Sequence, residues 1–570
     1  MNVLPNPFYY LDNFQQVLEW ISSRYSDLLL EEEAGWISAF HSLPQNARAL
    51  LVRMVMRKGT LFRSKKLTYA EIGCVHEAAS QLVNIGWVDD SPLLHAAELY
   101  GLLNKPELGA LLQAEGKSIS AGRKADLYEV LQARVSEPIL FHELFPESDE
   151  RIYHLSEEVD ALCNRIRLMF FGNPHQGWTE FVLADLGIFR YEKVAIDMHS
   201  RAFQSRDDVD AYLLLHACRE RFDRGEPPEM ILPDLDKFSA QGWLASRQAK
   251  FVYRIAYHYE QAGELNKALD LYRGCSYPGT RLRMIRVLEK TGEAAAAYEL
   301  VRSAEQAPES DEELQKLQRV IPRLRRKLGM PKADAKSTDE GTGERSGERA
   351  SDATGAVAKP VEESRLTLPF PGSGCTVEEA VRRHLDQRDA PAFYVENALI
   401  NSLFGLLCWE AIFHPLPGAF FHPFHIGPAD LHSADFHQRR LQQFSACLSL
   451  LDSGAYKAAI QARYEEKSGI QSPFVFWGAL DSTLLGLALD CIPAAHLRHW
   501  FQRILKDTRN NRTGFPDLIQ FWPQEKRYRM IEVKGPGDRV QDNQARLHAF
   551  AYEHGMPVAV CHVSWAGESA

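Results

Sequence analysis

Read by the spacing of its apolar positions, the chain is helical over most of its length and changes period only near its carboxyl end. From residue 1 to about 140, and again from about 145 to 330, apolar residues recur at three- and four-residue intervals, as in amphipathic helices packed on one another. The run from Lys336 to Arg349 is polar and Gly-rich with no large apolar side chain. Such a run buries too little surface to offset the entropy of ordering, so residues 331–365 read as a flexible linker. The remaining unit, residues 366–570, opens with helical patterns at Val377 to Arg388 and from Tyr394 through Trp409. The period then shortens to two. Asp517 to Trp522 and Tyr528 to Lys534 read as strands bounded by Gly514, Pro516, Pro523 and Gly535 and joined by a polar turn. Asp542 to Phe550 returns to a helical period, and Pro557 to Val563 reads as a buried strand. The pattern predicts a multidomain, mostly α protein whose carboxyl-terminal unit is α/β with a β-β-α-β order.

Strand parity gives that unit its candidate chemistry. Side chains alternate across a strand, so Glu532 and Lys534 share one face while Ile531 and Val533 share the other, toward a core. Asp517, at the start of the neighbouring strand, brings a second carboxylate beside Glu532. Two such groups repel, and each raises the proton affinity of the other. A hard divalent cation, Mg²⁺ or Mn²⁺, suits such oxygen ligands, with the Lys534 ammonium close by. The implied reaction is metal-assisted phosphodiester hydrolysis. The plainer alternative is a hairpin whose Glu532 and Lys534 form only a solvated face.

Pro516-Asp517 followed by Glu532-Val533-Lys534 resembles the PD-(D/E)xK nuclease superfamily. The longer string Glu532-Val533-Lys534-Gly535-Pro536, with Asp538, Arg539 and Gln544, is similar to the VRR-NUC branch and, within it, to the Fanconi-associated nuclease family of DNA interstrand-crosslink repair. That resemblance implies a site in which Asp517, Glu532, the Val533 carbonyl and an acid on an upstream helix hold Mg²⁺ or Mn²⁺. Tyr394-Val395-Glu396-Asn397-Ala398-Leu399 puts Glu396 forward as that acid. Lys534 would assist the attacking water, and Gln544 would position it or the adjacent phosphate. The implied substrates are branched or flapped duplex DNAs, cut by a 5′ flap endonuclease and 5′ to 3′ exonuclease. Two rivals stand beside this reading: a Holliday junction resolvase and a non-catalytic repeat scaffold with a degenerate nuclease fold. A resolvase cuts two symmetric strands as a dimer, whereas the long helical extension suits a monomer on one asymmetric branch.

The helical regions offer candidate DNA contacts. Arg53 to Tyr69 concentrates cations around an aromatic, with Arg57, Lys58, Arg63 and Lys65 as phosphate contacts. A solvated helix face fits the charges as well, but a similar run recurs in the nuclease family. Helical segments at Pro106 to Leu112 and Lys124 to Leu131, joined by a basic loop, resemble a SAP-type module over about 91–135. Arg123 and Lys124 would meet phosphate at the second helix's start; an ordinary αα-hairpin is the alternative. Arg539 would bind the scissile strand's backbone. Over about 245–306 the chain resembles tetratricopeptide repeats: Gly263-Glu264 is echoed by Gly292-Glu293 and Ala268 by Ala297, below the usual spacing of ~34 residues. These repeats are expected to pack and to meet protein partners. Arg323 to Lys327 reads as the charged end of a helix. His414, His422, His425, His432 and His437 lie among prolines and aromatics at spacings that fit no standard zinc set, and read as structural.

Composition refines the picture. A chain of 570 residues is too long for one core and implies about two to four domains. Its 45% hydrophobic and 25% charged content is that of a globular protein. The net charge of −11 confines DNA contact to local basic patches. Nine cysteines without a C-x-x-C pair imply reduced thiols and no structural zinc. The start lacks a signal-peptide pattern, and the most apolar stretch, Phe474 to Leu497, is broken by Asp481 and Asp490. The expected location is cytoplasmic and nucleoid-associated, or nuclear in a eukaryote. Without the ubiquitin-binding zinc finger of eukaryotic relatives, the chain resembles bacterial members.

Overall fold

The structure is a computed structural model that describes residues 6–113, 124–173, 189–237, 240–331, 362–372 and 374–566. The chain divides into two compact units: Met1–Phe189 with Ala195–Leu213 and Phe421–Phe424, and Arg190–Val194 with Leu214–Phe420 and His425–Ala570. Among the described residues no helix is long and apolar enough to cross a membrane.

In the first unit, α1 (Tyr9–Arg24), α2 (Glu31–Ser42) and α3 (Gln45–Val55) bury their apolar stripes, with Phe14, Val17, Leu18, Ile21 and Phe40 at 1% exposure or less. A small antiparallel sheet follows, of order β1-β3-β2, from β1 (Leu61–Arg63), β2 (Val88–Asp89) and β3 (Ile152–Leu155). The SAP-like stretch folds as α4 (Ala96–Leu102), α5 (Lys105–Gln113) and α6 (Asp126–Arg134) around Leu99, Leu108, Leu111, Leu127 and Leu131. The expected helices are there; the loop between them, with Arg123, lies outside the described residues.

The second unit begins well before the sheet. Two of its helix pairs are α7 (Gly242–Ala262) with α8 (Leu265–Arg273), and α9 (Thr280–Thr291) with α10 (Ala294–Gln306). The repeated residues sit at equivalent points. Gly263 (φ 83°) and Gly292 (φ 88°) end the first helix of each pair in the left-handed region, which suits glycine. Ala268 and Ala297 are fully buried, where a larger side chain would hold the helices apart. Then α11 (Asp311–Lys327) follows, capped by Ser310, whose side chain accepts from the Glu313 N–H at 3.1 Å. Its Arg323 forks onto Glu289 at 2.6 and 2.8 Å, so that cation is spent on an internal pair.

The sheet of this unit has five strands in the order β4-β8-β7-β6-β5: β4 (Glu362–Leu368), β5 (Ala392–Tyr394), β6 (Leu518–Trp522), β7 (Arg527–Lys534) and β8 (Val558–Trp565). β8 runs parallel to β4 and β7, while β6 is antiparallel to β5 and β7. Two of the five strands differ from expectation. β4 begins at Glu362, inside the stretch read as linker, because its alternation is mostly polar at an exposed edge. β5 is not among the predicted strands; it ends on Tyr394, the first residue of a predicted helix. The helix before it, α12 (Val377–Leu385), buries Val381 against Leu518, Ile531, Val533 and Val563. The opposite face is covered by α13 (Asp542–Glu553). Arg319 of α11 forks onto Asp542 at 2.7 and 2.5 Å, which ties the last repeat-region helix to the start of α13.

Candidate active site

β7 carries Glu532 and Lys534 on the face turned toward α13, and Ile531 and Val533 on the face turned toward α12. The parity read from sequence holds, but the polar face is not solvated: Glu532 is 1% and Lys534 7% exposed. Burial of charge is tolerated because the groups satisfy one another. Lys534 Nζ lies 2.8 Å from Glu532 Oε1 and donates to Gln544 Oε1 at 3.1 Å. Gln544 Nε2 in turn donates to Glu532 Oε1 at 2.6 Å. The amide of Gln544 is itself oriented by the Gln541 N–H, 2.8 Å from its Oε1. Glu532 Oε2 is buried and has no hydrogen-bond partner among the described residues.

Asp517 immediately precedes β6, where its Oδ2 accepts from the Val533 N–H at 2.8 Å. The loop before it passes close to α13. Gly514 has φ +88°, and a Cβ there would lie 3.2 Å from the Asn543 backbone, so a side chain would push the loop off the helix. Burial raises the Asp517 carboxyl to about 6; the Val533 N–H opposes the rise, and the Glu396 and Glu378 charges add to it. Burial raises Glu532 to about 7, helped by Asp517 and Glu396 and opposed by Lys534. Two adjacent carboxyls that hold protons this tightly, one with a bare oxygen, form a site deficient in positive charge.

Glu396 is placed differently from the reading. It is exposed and lies between β5 and the next helix, α14 (Leu399–Leu407), not on that helix. Tyr394, half-exposed, donates its hydroxyl to Glu396 Oε2, and Asn397 Nδ2 donates to Oε1 at 3.3 Å. Its charge still reaches both Asp517 and Glu532. Among the described residues no three His, Cys, Asp or Glu side chains are packed closely enough to hold a cation as they stand. For Glu396 to join the other two carboxylates, its side chain has to turn away from Tyr394.

Sequence reasoning missed Glu378 of α12, which raises Asp517; Tyr394 and Asn397, which hold Glu396; and His548 of α13. His548 is 4% exposed, its Nε2 has no partner among the described residues, and burial together with the Lys534 charge lowers it to about 4. The spacing of Gln544 and His548, one turn apart on a helix after Lys534, was the available signal. Burial lowers His414, His425, His432 and His437, with His425 at about 4.

The basic residues of the first unit separate into two kinds. Arg57 and Lys58 are exposed; Arg57 sits over the Tyr69 ring at 5.4 Å, and Lys58 makes no ion pair among the described residues. Lys65 is also exposed and pairs with Asp149 at 3.1 Å. Arg63, expected to meet phosphate, is 9% exposed and ion-paired to Glu150 at 2.7 Å and Glu107 at 2.6 Å, so it is a core residue and no surface contact. Lys124 donates to the Tyr100 carbonyl at 2.7 Å and lies over that ring at 4.3 Å, held within the SAP-like module. Arg539, in the second unit, is exposed on the turn after β7. Arg63→Ala would leave Glu150 buried without its cation, and is expected to cost about 3–5 kcal/mol in unfolding free energy. Arg57→Ala with Lys58→Ala should instead leave the thermal midpoint within a few degrees and lower both DNA affinity and its salt slope. An unchanged slope would assign those two cations to a solvated face.

A mixed sheet with Asp517 and Glu532-Val533-Lys534 on adjacent strands, backed by a helix on each face, defines a PD-(D/E)xK-type nuclease unit. Comparison with known proteins agrees: residues 451–565 match the VRR-NUC domain, residues 8–89 the HTH domain of FAN1, and residues 93–143 the Fanconi anemia-associated nuclease SAP domain. The chain is 52% identical over 563 residues to the Fanconi-associated nuclease 1 homolog of Pseudomonas aeruginosa, covering 99% of this chain and 97% of that one. It is 24% identical over 649 residues to Fanconi-associated nuclease 1 of Homo sapiens, covering 98% of this chain and 63% of that one. A crystal structure of paFAN1 bound to 2-nt 5′ flap DNA with gap matches with a TM-score of 0.85 at 52% identity, over 100% of both chains. The chain belongs to the Fanconi-associated nuclease family, and it is a DNA nuclease.

Proposed function

We propose that this chain is a metal-dependent, structure-specific nuclease of DNA repair. It cuts 5′ flaps and nicked or crosslinked duplexes as an endonuclease, with 5′ to 3′ exonuclease activity, and serves interstrand-crosslink repair. The observation that carries the reading is the buried Oε2 of Glu532, without a hydrogen-bond partner among the described residues, beside Asp517, two carboxyls that burial raises to about 7 and about 6. Hard oxygen donors of this kind fit Mg²⁺ or Mn²⁺. Asp517 and Glu532 would hold the ion, with the Val533 carbonyl and a rotated Glu396 completing the oxygen set. When bound, the ion supplies Lewis acidity: it neutralises phosphodiester charge and acidifies the attacking water.

The chain's own residues do the rest. Lys534, fixed between Glu532 and Gln544, keeps an ammonium beside the reacting phosphate and orients the water. Gln544 holds Lys534 and Glu532 at a set spacing. Arg539, exposed beyond β7, contacts the backbone of the cut strand. The basic patch at Arg57 and Lys58 and the SAP-like module contact duplex phosphates. The relative paFAN1 crystallised with 5′ flap DNA, which supports the flap as substrate here.

End-labelled 5′ flap and four-way-junction DNAs, incubated with each metal in turn, test this. Flap cleavage is expected with Mn²⁺ or Mg²⁺, none in chelator, and little with Ca²⁺, whose looser coordination misplaces the water. Cleavage that survives chelator, or a preference for symmetric cuts in the four-way junction, would overturn the reading.

A further inference from the structure

Asn397 is one of two non-glycine residues with positive φ among the described residues, at 52°; the other, Lys526, sits in the exposed turn between β6 and β7. Asn397 follows Glu396 directly, and its side-chain amide is used at both ends. Nδ2 donates to Glu396 Oε1 at 3.3 Å, while Oδ1 accepts from the Phe515 N–H at 3.1 Å. Phe515 is two residues before Asp517. One amide therefore bridges the two chain segments that carry these carboxylates, which are 121 positions apart, 517 − 396.

The bridge is reinforced from two sides. The Val395 N–H donates to the Asp517 carbonyl at 2.8 Å, extending the β5–β6 pairing to the residue before Glu396. Asn401, 1% exposed, donates its Nδ2 to the Asn397 carbonyl at 2.6 Å and to the Arg512 carbonyl at 2.8 Å. Asn401 thus clamps the left-handed residue to the loop that leads into Asp517. An isolated kink would need none of these contacts. Left-handed conformation is tolerated by asparagine better than by most side chains, and here it turns the backbone so that Glu396 and the Asn397 amide meet.

We propose that Asn397 is a positioning residue that sets the separation of Glu396 from Asp517, and so sets the affinity of the site for its divalent ion. This rests on the reading of those two carboxylates as ligands of one cation. Groups that orient ligands without touching the metal change its affinity by about 10–100-fold when removed. Tyr394 grips the other Glu396 oxygen, but its ring is exposed, and the pairing that joins it to Leu518 runs through the backbone. Among the described residues, only Asn397 joins both segments through a side chain while adjoining a ligand.

Calorimetric titration of Mn²⁺ alone into the full chain, without DNA, is the test. Asn397→Gly keeps the left-handed backbone at no steric cost and deletes the amide, so its thermal midpoint should stay near wild type while the Mn²⁺ dissociation constant rises about tenfold. Asn397→Ser, too short to reach both partners, should weaken binding similarly and serves as the second reading should the glycine variant melt lower. Flap-DNA affinity in chelator should be unchanged in both. Mn²⁺ affinity within about twofold of wild type in either folded variant would overturn the proposal. Asp517→Ala is the control beneath it: were that variant to bind Mn²⁺ as wild type does, the assignment of the cation site itself would fall, and the role of Asn397 with it.

Discussion

Asp517→Ala is expected to lower flap cleavage by about 10³-fold or more while flap-DNA affinity in chelator stays near that of the native chain. The asymmetry follows from the position of Asp517. It lies at the head of β6 with its carboxylate on the Val533 N–H, so its loss removes a ligand and leaves the exposed cations that meet DNA untouched. The fold should tolerate the change. Burial pushes this carboxyl up to about 6, so the folded chain already bears a cost for its charge, and an uncharged residue there relieves it. Higher thermal stability with lost turnover is thus the expected signature. Equal turnover in Asp517→Ala would remove the residue from the mechanism.

The second large effect is expected at Lys534. Lys534→Met keeps the length of the stem and deletes the charge, and should lower the cleavage rate by about 10²-fold or more. It should also move the pH profile. Burial raises Glu532 to about 7 and Asp517 to about 6, and Lys534 opposes the rise at both. Ligation requires both carboxylates ionised, so native activity should climb as pH rises through about 6 to 7. Without the ammonium the acid limb should shift to higher pH, because Glu532 then faces Asp517 with no compensating cation. Stability runs the other way. These carboxyls bind protons more tightly folded than unfolded, so their contribution to the metal-free fold is complete below the ordinary carboxylate range and is lost as pH rises through about 6 and about 7. A Lys534→Met profile whose acid limb coincides with the native one would show that the ammonium does not control these groups.

The alternation that put Glu532 and Lys534 on one face was legible because β7 is covered on both sides and its parity is strict. What alternation cannot say is whether a polar face meets water. Here α13 covers it, and the mutual pairing of Glu532, Lys534 and Gln544 makes that burial tolerable. Glu396 was legible as a residue and misplaced as structure: the apolar run Leu399–Leu407 dominates any helical reading and drew the preceding five residues into the helix. The left-handed turn at Asn397 leaves no periodic trace. Arg63 was read with its charged neighbours because composition does not reveal direction, whereas its partners Glu107 and Glu150 are 44 and 87 positions away. Local chemistry is visible in a sequence when its parts are near one another; the ties from Phe515 to Asn397 and from Arg63 to Glu150 are long-range, and only the fold brings them together.

Anomalous diffraction from crystals of the full chain soaked in Mn²⁺ at alkaline pH tests the central claim most directly. A manganese peak is expected within about 2.5 Å of oxygens from both Asp517 and Glu532, with the Glu396 carboxylate swung away from Tyr394 toward it. Manganese bound elsewhere, or those carboxylates bare of metal under conditions in which the same chain cuts flap DNA, would contradict it.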